Sequence, residues 1–284
     1  MKRSITAHVM VKNEDRFIWF SIMSVIDYVD KMIIYDTGSE DDTVAVIRTL
    51  LGKYGDKIVF EEKGASDKNR LGALRQEMVE KTATDYFMVL DGDEIWWKDS
   101  IEELVRIANA DEEPLLVAQH YTNCAKDIWH YRMPGRDAYP FLDRDAAATI
   151  RLYSMKIPGI HCGGHYGIEG FFDGDGNEVQ CGKYEITWQK QKYFHVSYLQ
   201  RSSHQGKDLK SFSRAKKLFM AYDYKFPADF RFLEVFYADR PAIVRSPFER
   251  PKEGLRSCIY FLLDGIHLRV VANLFRKNRY REER

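Results

Sequence analysis

Apolar and polar positions fall into blocks along the first part of the chain. SITAHVMV (4–11) is a nearly continuous apolar run, as a strand buried on both faces would be, and it stops on KNEDR. A helical pattern runs through FIWFSIMSVIDYV (17–29). KMIIYD (31–36) reads as a second short strand, TGSEDD as a turn, and TVAVIRTLLGKYG (43–55) as a helix closed by glycine. KIVFEEK (57–63) is a third strand. NRLGALRQEMVEKTA (69–83) puts Leu71, Leu74, Met78 and Val79 on one helical face, and YFMVLD (86–91) is a fourth strand. Strands alternating with helices predict βαβ units, hence an α/β fold with a mainly parallel sheet flanked by helices. Right-handed crossovers would bring the four strand carboxyl ends to one edge, where open α/β sheets bind their ligands.

Polar residues stand at those ends. Lys12, Asn13 and Glu14 follow the first strand; Asp36, Thr37, Gly38 and Ser39 follow the second; Asp91, Asp93 and Glu94 follow the fourth. Three acids within four positions repel one another. In an extended segment Asp91 and Asp93 would face the same way, with Gly92 keeping the backbone compact. A divalent cation between them would relieve the repulsion, and hard oxygen ligands suit Mg²⁺ or Mn²⁺ bridging a substrate diphosphate. A plain Asp/Gly turn is the alternative reading of the same residues.

MVKNED (10–15), YDTGSEDDT (35–43) and VLDGDE (89–94) together resemble family 2 glycosyltransferases, which have the Rossmann-like, nucleotide-binding GT-A fold. The closest resemblance is to a bacterial subgroup that includes lipopolysaccharide-core enzymes, whose first strand ends in VKNE and whose second ends in DTGS. GALRQEMVEKTATDYFMVLD (72–91) is similar to that subgroup's next helix and strand, with Arg75 at the arginine position and Gln76 in place of the usual asparagine. The resemblance implies that Val11, Lys12, Asn13, Glu14, Asp36, Gly38, Ser39, Arg75, Asp91 and Gly92 hold a nucleoside-diphosphate sugar. Uridine is favoured for the base by analogy. It also implies that Asp91 and Asp93 serve a Mn²⁺ or Mg²⁺ ion that stabilises the leaving diphosphate.

Past residue 95 the resemblance weakens, and beyond about 200 it ends. ATIRLYSMKIPGIHCGGHYGIEG (148–170) is similar to an RLF…VHE segment, matching at Arg151 and His165. YFHVSYLQRS (193–202) is similar to a following histidine element. On this resemblance His195 is the preferred third metal ligand, with His165 and His161 as competitors. The family generally inverts, which requires a base beside the acceptor hydroxyl. Glu169 is the first candidate, with Asp143 and Asp145 in the loop RDAYPFLDRD (136–145) behind it. FFDGDGNEV (171–179) departs from a calcium loop and reads as a hairpin turn.

Composition adds three things. A chain of 284 residues, 45% hydrophobic, can build a sizeable core. Its net charge of zero is unevenly spread: residues 200–284 hold 19 basic and 10 acidic side chains, against 24 and 33 before them. The four scattered cysteines suit reduced thiols in a cytoplasmic protein. The expected organisation is a GT-A domain over residues 1–200 and a helical, basic C-terminal extension over 201–284. Within that extension SSHQGKDLKSFSRAKKLF (202–219) and LRSCIYFLLDGIHLRVVANLF (255–275) are helix candidates. The second, with the basic tail after it, suits either packing on protein or peripheral contact with the inner face of a membrane. The expected reaction is metal-dependent, inverting transfer of a sugar to a saccharide or lipid-linked acceptor. Transfer to hydroxymethylated DNA or to protein, and non-catalytic binding of a nucleotide sugar, are the alternatives.

Overall fold

The computed structural model describes residues 2–66, 68–132, 139–141, 144–164, 170–204 and 223–249. Its first seven elements are β1 (Ile5–Val11), α1 (Ile18–Val25), β2 (Lys31–Asp36), α2 (Thr43–Tyr54), β3 (Ile58–Glu62), α3 (Lys68–Glu80) and β4 (Tyr86–Leu90). They are the four strands and three helices expected from the apolar pattern. β1 pairs in parallel with β2 and with β4, and β2 with β3. The carboxyl ends of all four strands therefore share one edge.

The burial pattern explains this arrangement. β4 is buried at every position, and α1 is buried at Ile18, Trp19, Phe20, Ile22 and Val25, so both sit inside the core. Beyond its first residue, Thr43, α2 buries Val46, Ile47, Leu50 and Tyr54, the single stripe expected of a helix laid on a sheet.

The second half extends the same sheet and adds two separate two-stranded sheets. β5 (Glu94–Trp96) and α4 (Lys98–Ala108) lead into β6 (Leu116–Ala125), β7 (Asp127–Arg132), β8 (Tyr139–Phe141), β9 (Arg144–Ala146) and β10 (Ala148–Ser154). β11 (His161–Gly163), β12 (Gly170–Phe172), β13 (Ile186–Tyr198) and β14 (Asp223–Lys225) complete the strands among the described residues. β10 lies antiparallel between β4 and β6. β13 runs parallel to β6 and antiparallel to β5, which sets His195 opposite both Asn123 and Glu94. Residues 173–177 form the hairpin turn read from the sequence, with the Asp173 carboxylate accepting the backbone N–H groups of Asp175 and Asn177.

The compact unit runs to Glu249. Of the expected extension, the described residues 223–249 contain no α-helix. They form β14, which pairs with β7, followed by turns and a short 3-10 helix at Glu234–Tyr237. Pro227, Pro241 and Pro247 break any longer helix. The phenylalanines beside and between them pack on the domain: Phe226 against Phe194, Phe230 against Trp97, and Phe248 against Trp129. The apolar segment 255–275, its basic tail and most of 202–219 lie outside the described residues. Among the described residues no helix is long and apolar enough to cross a membrane.

One packing contact bears on the site. A Cβ added at Gly72 in α3 would sit 2.6 Å from the carbonyl oxygen of Gly164, just after β11. The neighbouring turn of α3 holds the same strand, since the Cys162 N–H donates to Gln76 Oε1 at 2.7 Å. Helix propensity alone would make Gly72→Ala stabilising by about 1 kcal/mol. The backbone clash reverses the sign, so a loss of about 1–3 kcal/mol is expected, read as a lower Tm. An unchanged or raised Tm would show that α3 and β11 are not so closely apposed.

Candidate active site

The loops after β1, β2 and β4 are built as one unit. Thr37 donates both its N–H and its hydroxyl to the Val11 carbonyl, at 2.9 and 3.0 Å. Asn13 takes φ 57°, a left-handed conformation that asparagine tolerates. In this conformation its N–H donates to Ser39 Oγ, and its side-chain oxygen accepts the Glu40 N–H at 2.8 Å. Asn13 and Ser39, expected to touch the donor, thus also pin one loop to the other. Gly38 has φ 91°, and a Cβ there would meet the Ala65 backbone at 2.8 Å. A Cβ on Gly92 would crowd Val11 and Glu14 at 3.1 Å, so the turn after β4 lies directly against the end of β1. Lys12 is exposed.

Asp36 sits buried at the tip of β2, 2% exposed. Its Oδ1 accepts the N–H groups of Gly38 and Ser39, both at 3.0 Å. Its Oδ2 is equally buried and has no hydrogen-bond partner among the described residues. A carboxylate oxygen removed from water and left unpaired is costly, and a ligand N–H or O–H would satisfy it.

The acids at 91–94 are arranged differently from the sequence reading. β4 ends at Leu90, and the next residues form a turn in which the Glu94 N–H donates to the Asp91 carbonyl at 3.1 Å. The alternation rule for extended chain does not apply in a turn, and Asp91 and Asp93 face different partners. Asp91 meets Arg151 at 3.2 Å and Arg75 at 3.6 Å. Asp93 meets Arg201 at 2.8 Å and His195 at 3.5 Å. Glu94, fully buried, is paired with Arg151 and faces no solvent. Arginines therefore neutralise the cluster in the protein itself, a role that the sequence reading gave wholly to a cation.

Arg151 is the hub. Its Nη2 reaches Asp91, Glu94 and the Tyr193 hydroxyl. Burial pushes the Glu94 carboxyl up to about 7, with Arg151 pulling the other way. The carboxylates around Arg151 hold its guanidinium charged against its own burial. Tyr193, stacked on Trp96, is likewise pushed upward by burial.

The chemistry of Asp93 and His195 fits a divalent cation. A carboxylate oxygen and an imidazole nitrogen 3.5 Å apart can be spanned by an ion with bonds of about 2.1 Å to each. Among the described residues no group of three or more His, Cys, Asp and Glu side chains could hold a metal ion. Such an ion would need its remaining ligands from donor oxygens and water, the usual habit of Mg²⁺. His161 is engaged elsewhere: its Nδ1 lies 3.0 Å from the Gly159 carbonyl and its ring stacks on Phe172. His165, Glu169 and Asp143, and the side chain of Asp145, lie outside the described residues.

Arg201 and Tyr193 were missed as site residues, and Arg151 was noted only as a matching position. The available signal was indirect. Three acids entering a core need cations, but nothing in the sequence says which of 43 basic residues supply them.

The sequence model of glycosyl transferase family 2 matches residues 6–164, more than half of the chain, and the protein belongs to that family. Among solved structures, S. aureus TarS (residues 1–349) is similar at 12% identity and a TM-score of 0.43, over 77% of this chain and 66% of TarS. Glucosyl-3-phosphoglycerate synthase from Mycobacterium tuberculosis, in complex with Mn²⁺ and UDP-glucose, is similar at 24% identity and a TM-score of 0.33. That match covers 42% of this chain and 44% of the synthase. The chain thus spans less than two thirds of either protein, and both likenesses are distant.

Proposed function

We propose that the protein is an inverting, metal-dependent glycosyltransferase of the bacterial subgroup with VKNE and DTGS strand ends. It transfers a sugar from a nucleoside diphosphate to a hydroxyl of a saccharide or lipid-linked acceptor. The observation that carries this reading is the buried, unused Oδ2 of Asp36, set at the strand edge where the family's crevice lies. That oxygen accepts an N–H or O–H from the nucleoside, while Gly38 and Ser39 hold the other oxygen in place. Arg75, at the rim beside Asp91, faces the diphosphate. Asp93 and His195 hold a Mn²⁺ or Mg²⁺ ion, which supplies charge neutralisation for the departing diphosphate.

The reaction is a single displacement. The acceptor oxygen bonds to the anomeric carbon as the bond to the diphosphate oxygen breaks, and the electron pair leaves with the diphosphate. The acceptor proton passes to a carboxylate, for which Glu169 is the first choice and Asp143 and Asp145 are next. The acceptor is a cell-surface saccharide or its precursor, glycosylated on the cytoplasmic side.

A panel of nucleoside-diphosphate sugars with Mn²⁺ tests the proposal, read both as a melting shift and as release of free nucleoside diphosphate. One donor should raise the Tm and be turned over, slowly by hydrolysis alone and faster with acceptor. A donor that raises the Tm but is never cleaved, even with saccharide acceptors present, would make the protein a binder and overturn the enzymatic reading.

A further inference from the structure

Arg201 occupies an unusual place for a positive charge. Its Nη1 lies 2.8 Å from Asp93 Oδ2 and 2.5 Å from Glu14 Oε1, and both acids are nearly fully buried. Asp93 is also the carboxylate that, with His195, fits a divalent cation. The guanidinium sits on Oδ2 and the ion would take Oδ1, so the two positive charges would repel across a single carboxylate.

The backbone around Arg201 is fastened independently of its side chain. The Ser202 hydroxyl donates to Asp41 Oδ2 at 2.6 Å, and the Ser203 N–H donates to Asp15 Oδ1 at 2.8 Å. The Arg201 carbonyl accepts the Arg16 N–H at 3.1 Å. Residues 201–203 thus form a strap across the loops after β1 and β2. The long Arg201 side chain can leave Asp93 without the strap coming loose.

We infer that Arg201 is a resident counter-ion of the cation site, whose charge on Asp93 Oδ2 opposes a divalent ion at Oδ1 until the guanidinium withdraws. This rests on the cation site proposed above. The empty protein then binds the ion weakly, because the ion competes with a charge already in place. The negative diphosphate of a donor draws the guanidinium away, so donor and ion favour each other's binding, and by linkage the effect is mutual. Arg201 is a positioning residue in this scheme. It sets the order in which the site fills.

The test is a titration of the full-length protein with Mn²⁺ alone, reading free Mn²⁺ by electron paramagnetic resonance, and a repeat with UDP. Arg201→Met should bind Mn²⁺ alone about tenfold more tightly than wild type, equivalent to about 1.4 kcal/mol. Its gain in Mn²⁺ affinity on adding UDP should be smaller than that of wild type. Arg201→Lys keeps the charge and should behave as wild type. If Arg201→Met leaves Glu14 unbalanced and melts, Arg201→Met/Glu14→Gln removes the pair together and should show the same tightening. Equal or weaker Mn²⁺ binding in the folded variants overturns the inference and leaves the cation site standing. If no form takes up Mn²⁺, with or without UDP, the cation site itself fails and the inference falls with it.

Discussion

Asp93→Asn should lower donor turnover by about 10²–10³-fold, the loss of about 2.7–4 kcal/mol seen when one preorganised electrostatic group is removed from an active site. The melting temperature should change little. Asparagine keeps the shape of aspartate, and Arg201 retains Glu14 as its charge partner at 2.5 Å. The defect should therefore appear in kcat, with the protein folded. The discriminating measurement pairs a turnover assay at saturating donor and Mn²⁺ with a thermal melt. Near-normal turnover in Asp93→Asn would remove Asp93 from the chemistry. A collapse of the Tm would mean that the residue acts through the fold instead.

The second large effect concerns stability. Arg151→Met leaves Glu94 fully buried without its counter-ion, and breaking a buried pair in this way typically costs about 3–5 kcal/mol. For a domain of this size that is a fall in Tm of roughly 10 °C. The deficit should depend on pH, with a definite sign. Burial raises the Glu94 carboxyl to about 7 in the folded protein, above the 4.5 of an exposed glutamate. A raised folded value means that Glu94 favours the fold while protonated and loses that contribution as the pH climbs from 4.5 through 7. Without Arg151 the carboxylate is harder still to ionise. The Tm gap between variant and wild type should thus be wide at pH 8 and narrow near pH 5.5. Arg151→Met/Glu94→Gln, which removes both charges, should recover much of the loss at pH 8. A gap that does not vary with pH would show that Arg151 stabilises by packing, through Tyr193, and not by charge.

The parallel half of the sheet was legible because each strand is an apolar run with a polar stop, and apolar helical patterns alternate with those strands. The tip residues followed from topology: once β1, β2 and β4 are parallel neighbours, Glu14, Asp36 and Asp93 must approach one another. Three features were not legible, each for a physical reason. The geometry of 91–94 depends on whether the chain is extended or turned, and DGD is compatible with both. Arg151 and Arg201 reach the acids from β10 and from the strap, 57 and 108 positions away from their partners. No local pattern records such distances. The segment 223–249 was read as part of the helical extension only because it lies between the helix candidates 202–219 and 255–275. Its prolines and the register of β14 on β7 decide otherwise.

The crevice at the carboxyl ends of β1, β2 and β4 should take a nucleoside diphosphate against Asp36. Calorimetric titration of the donor nucleotide with Mn²⁺ into wild type and Asp36→Asn addresses this directly. Asparagine keeps a carbonyl oxygen for the Gly38 and Ser39 N–H groups but puts an NH₂ group where Oδ2 stood. Wild type should bind, and Asp36→Asn should bind at least about tenfold more weakly, a cost of 1.4 kcal/mol or more for one lost buried hydrogen bond. Equal affinity in the two proteins, or no binding of any nucleoside diphosphate by wild type, would contradict the account.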